Sequence, residues 1–117
     1  MITVTHSYSV RDRRGVLTVK GHAGQANLGQ DIVCSAASIL AYTVAQIVTA
    51  MEANGDFAKP PVVELADGNA IIDFTCKDED TFAEAIRMTF FAQTGYRLLE
   101  ANYPDYVKLI TEEADKP

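Results

Sequence analysis

Val16-Leu17-Thr18-Val19-Lys20, then Gly21-His22-Ala23-Gly24-Gln25-Ala26-Asn27-Leu28-Gly29-Gln30, then Asp31-Ile32-Val33-Cys34, is the stretch on which the fold turns. Val16 to Lys20 has the composition of a strand. The next ten residues, Gly21 to Gln30, hold three glycines and no hydrophobic period, so they read as a loop. From Asp31 the period becomes helical. Val33, Ala36, Ala37, Leu40, Val44, Ile47, Val48 and Met51 recur at helical spacing, with Asp31 as the expected N-cap. Asn54-Gly55 ends that helix, glycine supplying the left-handed residue that helix ends often need.

Outward from this stretch the pattern stays regular. Residues 2–10 place Ile2, Val4, His6, Tyr8 and Val10 on one face and Thr3, Thr5, Ser7 and Ser9 on the other. With Arg11 to Gly15 as a turn, this strand forms a hairpin with Val16–Lys20. After the rigid Lys59-Pro60-Pro61, strands Val62–Ala66 and Ala70–Cys76 are joined by Asp67-Gly68-Asn69, a strong hairpin signal. Ile72, Phe74 and Cys76 share one face of the second of these strands. A second helix is expected from about Asp80 to Asn102, with Phe82, Ile86, Phe90 and Leu98 or Leu99 as apolar positions. Gly95 inside it argues against one straight helix. Pro104 stops it, and Tyr106–Thr111 alternates as a last strand before a polar tail. The order ββαββαβ predicts an α+β fold: one mixed, largely antiparallel sheet with two helices packed on it, in a single domain over residues 1–117.

Composition narrows the function. The 117 residues suffice for one core, and 48% hydrophobic with 22% charged residues is globular composition. Ten basic against sixteen acidic residues give −6, which speaks against nucleic acid as the main partner and suits a basic protein or peptide. No secretory signal opens the chain, so a cytoplasmic, reduced protein with free thiols is expected. Ile32 to Met51 is long enough for a membrane span. Cys34, Ser35, Ser38, Tyr42, Thr43, Gln46 and Thr49 interrupt it, and a buried helix is the expectation. The two cysteines and two histidines lack metal-site spacing, so neither a metal nor another cofactor is expected.

The chemistry concentrates where the loop meets the helix. With Asp31 as cap, Cys34 falls in the first turn, where unpaired amides and the helix dipole favour the reactive thiolate. His22 stands twelve positions earlier, and the eleven residues between can fold back to bring imidazole to thiol. That pair supplies a nucleophile and a base for acyl transfer. The competing account is structural: Cys34 shares a stripe of small residues with Ser38, Ala41 and Ala45, and His22 follows Thr18 and Lys20 on a polar strand face. His6, among Ile2, Val4 and Tyr8, reads as a core or interface histidine. Cys76 reads as buried and inert. A phosphate cradle at Gly21-x-x-Gly24 is rejected, because no Lys or Arg lies between Gly21 and Asp31.

Gly21-His22-Ala23, Gly29-Gln30-Asp31-Ile32-Val33-Cys34 and Ser38 closely resemble the signature of the ribosomal-processing cysteine protease family, Prp. Chain length, a hairpin before the motif, a long helix after it and Tyr103-Pro104 near the end extend the resemblance over nearly the whole chain. It implies a cytoplasmic, homodimeric cysteine endopeptidase that removes the N-terminal extension of a large-subunit ribosomal protein. The cut follows a hydrophobic, aromatic-rich segment and precedes an alanine. It implies Cys34 as nucleophile, His22 as general base and acid, and a mobile substrate loop carrying Gly21, Gly24, Leu28 and Gly29. Ser38 would support the site from behind. Asp31 either orients His22 or only caps the helix. Ser35-Ala36-Ala37 replaces the family's Ala-Ala-Val, and Leu28 stands where an aromatic residue is usual, which bears on the pocket for the substrate's aromatic side chains. Two other functions compete with proteolysis: a non-enzymatic ribosome-associated binding module, and a redox-active thiol protein using Cys34 alone.

Overall fold

The computed structural model describes residues 1–22 and 28–115, and the side chains of these residues other than 28–31. The order is β1 (Ile2–Ser9), β2 (Arg14–Gly21), α1 (Leu28–Ala53), β3 (Val62–Ala66), β4 (Asn69–Thr75), α2 (Glu79–Asn102) and β5 (Val107–Glu113). The expected ββαββαβ order and α+β class are what the chain adopts. The five strands form one open sheet in the order β3-β4-β2-β1-β5. Every neighbouring pair is antiparallel except β1 with β5, which run parallel.

Register puts one apolar row on each strand against the helices. His6 pairs with Leu17, Leu17 with Ile72 and Ile72 with Val63, so these residues share one face. Ile2, Val4, Leu17, Ile72, Phe74 and Val107 are buried beneath Val33, Ala37, Val44 and Val48 of α1 and Phe82, Ala85, Ala92 and Tyr96 of α2. The alternate residues of β1, Thr3, Thr5 and Ser7, are only half-buried on the other face.

α2 runs without interruption through Gly95, contrary to the doubt that glycine raised. A Cβ there would lie 2.9 Å from both Leu40 methyl carbons, so its absence lets the two helices approach closely. Beside it the Tyr96 hydroxyl donates to the Ala37 carbonyl of α1 at 2.9 Å in the interior. The inward stripe of α2 is Phe82, Ala85, Thr89, Ala92, Tyr96 and Leu99. Phe90, expected among its apolar positions, is exposed, and of the expected pair Leu98 or Leu99 it is Leu99 that takes the core place. Small residues occupy the inward stripe because the helices pack closely, which conceals it from a search for large apolar residues. Asp78 caps α2, accepting from the Thr81 amide at 2.8 Å, with Glu79 and Asp80 in the first turn.

α1 begins at Leu28, not at Asp31. Leu28 and Gly29, expected in the loop, are therefore helical, and Asp31 lies within the helix instead of at its N-cap. Glycine is cheap in a first turn, whose amides have no helical partner in any case, so Gly29 is a weak boundary signal there. The expected buried helix is also only half correct. Val33, Ala37, Ala41, Val44, Ala45 and Val48 are buried, whereas Ile32, Ile39 and Tyr42 are at least half exposed.

His6 is fully buried, as its neighbours suggested, but it is satisfied on one side only. Nδ1 donates to Gln93 Oε1 at 2.6 Å, and Nε2 has no partner. The Phe90 ring meets it edge-on at 5.2 Å.

Candidate active site

The site begins with strand pairing. β4 runs antiparallel to β2, with Val19 opposite Ala70 and Lys20 opposite Asn69. The β3–β4 turn therefore arrives level with the end of β2, where the chain leaves the sheet at Gly21 and His22. The Gly21 amide donates to the Gly68 carbonyl at 2.9 Å and fixes that junction. His22 is exposed, and its ring lies against Gly68.

α1 supplies the facing wall. Cys34, Ala37, Ser38 and Ala41 stand at i, i+3, i+4 and i+7, which is one side of a helix. These four, His22 and the hairpin turn line a single cleft of about 70 Å³. Its floor includes Ile2 and Val19 of the sheet. Cys34 is a free, half-buried thiol. The structure thus brings His22, Cys34, Ser38 and Gly21 together. Gly24 lies outside the described residues, as do the side chains of Leu28 and Asp31, so the orienting role considered for Asp31 lies there too.

The expected first-turn position of Cys34 changes. Because α1 starts at Leu28, Cys34 is in the second turn, beyond the range over which a helix terminus acts most strongly on a charge. Its amide also belongs to the helical ladder, so it is not a free oxyanion donor. Accessibility distinguishes this cysteine instead. Cys76 is fully buried next to the Phe57 bridge, and burial, with Asp56 and Asp78 adding negative charge nearby, pushes its thiol up to about 11. One thiol faces a cleft and the other is sealed.

The sequence did not reveal the cleft's third wall, Ala66 to Ala70. Asp67-Gly68 was legible as a turn, but only the pairing of β2 with β4 places it beside His22. Tyr42, two turns beyond Cys34, is a further lining residue and is half exposed. Among the described residues, no group of three or more His, Cys, Asp or Glu side chains stands close enough together to hold a metal ion.

A free thiol and an imidazole stand on adjoining walls of one cleft, carried by an open α+β sheet, an arrangement compatible with a thiol hydrolase. Comparison with known proteins makes the class definite: the model of the family described as cysteine protease Prp matches residues 1–108. The chain belongs to that family and is a cysteine protease. The fold is similar to that of the ribosomal processing protease Prp from S. aureus in complex with a covalently linked product peptide, at 24% identity and TM-score 0.68, over 95% of this chain and 99% of that one. The same protease with a substrate peptide gives 21% and 0.65 over the same shares. The SMU.848 protein of Streptococcus mutans gives 22% and 0.67, over 97% of this chain and 95% of that one. No curated protein sequence matches the chain significantly.

Proposed function

We propose that the chain removes the N-terminal extension of a large-subunit ribosomal protein, with Cys34 as nucleophile and His22 as general base. The observation that carries this reading is the single cleft lined by both side chains. The S. aureus neighbours, ribosomal processing proteases with bound product or substrate peptide, support the substrate class.

In the proposed mechanism His22 takes the Cys34 proton as the sulfur attacks the scissile carbonyl. A neighbouring glycine amide would stabilise the oxyanion, since that of Cys34 is engaged in α1. His22 returns the proton to the leaving amine, and water then hydrolyses the thioester. A cytoplasmic location accords with free thiols at Cys34 and Cys76.

A peptide spanning the extension junction tests this reading. The wild type should cut it, His22→Ala should lose about 10²–10⁴-fold in rate, and Cys34→Ala should not turn over. A His22→Ala variant that cuts at the wild-type rate overturns the dyad. Binding without cleavage by the wild type would favour a binding module. Cys34-dependent thiol exchange without cleavage would favour a redox protein.

A homodimer is proposed as well, supported by the apolar outward sides of the two packed helices. Ile39 of α1 is 62% exposed, and Phe91 and Leu98 of α2 are 83% and 61% exposed. Light scattering should give twice the chain mass, and Phe91→Asp with Leu98→Asp should give the monomer. A monomeric wild type at micromolar concentration would overturn this assembly.

A further inference from the structure

Beyond the cysteine and the histidine, the cleft holds a residue whose missing side chain decides where the imidazole can stand. Gly68, at the tip of the β3–β4 hairpin, has φ +71°. A Cβ built on it would collide with His22 Nε2 and stand 2.8 Å from Cε1 and 3.2 Å from Cδ2. Real Cβ atoms do not approach a ring so closely, so a side chain here moves either the hairpin or the imidazole. The hairpin is the stiffer partner. It is held through β4 to β2, and the Gly68 carbonyl accepts the Gly21 amide at 2.9 Å, immediately before His22. His22 has a rotatable χ1 and an exposed ring, so the imidazole is the part that yields.

We propose that Gly68 is the positioning residue for His22: its bare Cα is the seat on which the imidazole rests, and its carbonyl locks the backbone that delivers it. This deepens the proposed function and rests on His22 being the general base. Gly68 touches no reacting atom in this role. It acts by restricting the imidazole to orientations that keep it on the wall of the cleft shared with Cys34. Catalysis by a positioned base falls steeply when that base is misplaced by even an ångström.

The molecule provides its own control for backbone strain. Gly55, after α1, has φ +75°, almost the same value, and a Cβ there would meet nothing within 4 Å. Gly55→Ala and Gly68→Ala therefore carry similar strain, and only the second meets His22. Gly68→Ala should lower kcat on the junction peptide by about tenfold to a hundredfold. Gly55→Ala should stay within about twofold of wild type, with both variants melting alike because they share the strain of alanine at positive φ. Gly68→Asn serves if the alanine variant does not fold, because asparagine tolerates the left-handed backbone while still presenting a Cβ to the ring.

The chain has two histidines, so the ring protons of His22 can be followed by NMR against those of buried His6 in the unliganded protein. In Gly68→Ala the His22 ring-proton resonances should move, and kcat should fall while KM stays near the wild-type value. In Gly55→Ala neither should. Equal kcat and unchanged His22 ring-proton resonances in the two glycine variants overturn the proposal while leaving the dyad intact. A fully active His22→Ala overturns the dyad, and the catalytic consequence of Gly68 with it.

Discussion

The cleft and the core treat the same chemistry in opposite ways. His22 and Cys34 line a cleft where α1 meets the end of β2, whereas His6 and Cys76 are fully buried. One imidazole lies against a hairpin glycine with its ring exposed; the other is wedged between Gln93 and the edge of Phe90. The chain has two histidines and two cysteines, and the fold lines a cleft with one of each and buries the other of each in the core. Residue type therefore says little here about reactivity. Access to water, to substrate and to a partner group decides it.

The thiols offer the sharpest way to break this contrast. At pH 8 a thiol pushed up to about 11 is ionised to roughly one part in a thousand. Iodoacetamide should label Cys34 at least about a hundredfold faster than Cys76 in the folded protein, read by peptide mass mapping, with the difference collapsing in denaturant. Equal rates in the folded state would mean that Cys76 is not sealed or that Cys34 is not accessible.

The histidines give a smaller effect. Burial lowers the proton affinity of His6 from the ordinary 6.5, with the Gln93 hydrogen bond pulling the other way. The unfolded chain takes up a proton near pH 6.5, which the folded chain resists. This contribution to stability is therefore full above that pH and falls as pH drops below it, by at most about 1.4 kcal/mol per unit, until the lowered native value is passed. Urea titrations should show that slope between pH 6.5 and 5, and His6→Leu should flatten it; an equal slope in both proteins would place the acid sensitivity elsewhere.

Charge should matter least. A net −6 draws a basic substrate over long range, so kcat/KM on a basic junction peptide should fall a few-fold between roughly 0.05 and 0.3 M salt. A flat response would reduce the acidity of the chain to a matter of solubility.

Much of the fold was legible because its elements announce themselves locally. The alternation from Ile2 to Tyr8 and the turn at Asp67-Gly68 are local consequences of side-chain period and turn chemistry. Element limits were less legible. Gly29 looked like a loop residue yet lies in the first turn of α1, and the inward stripe of α2 escaped notice because Ala85, Thr89 and Ala92 do not look like a core. Close helix packing at Gly95 makes small residues suitable there, and packing distance is not written in hydrophobicity.

The sequence by itself determined the order of elements and singled out Cys34 and His22 as the proposed pair, because periodicity and the motif around Cys34 are properties of neighbouring residues. Only the tertiary structure decided that His22 stands on the tip of a hairpin more than forty positions away. The antiparallel register of β2 against β4 brings Gly68 to it. That register is a property of the whole sheet, fixed by which faces must be buried, and no local stretch of the chain contains it.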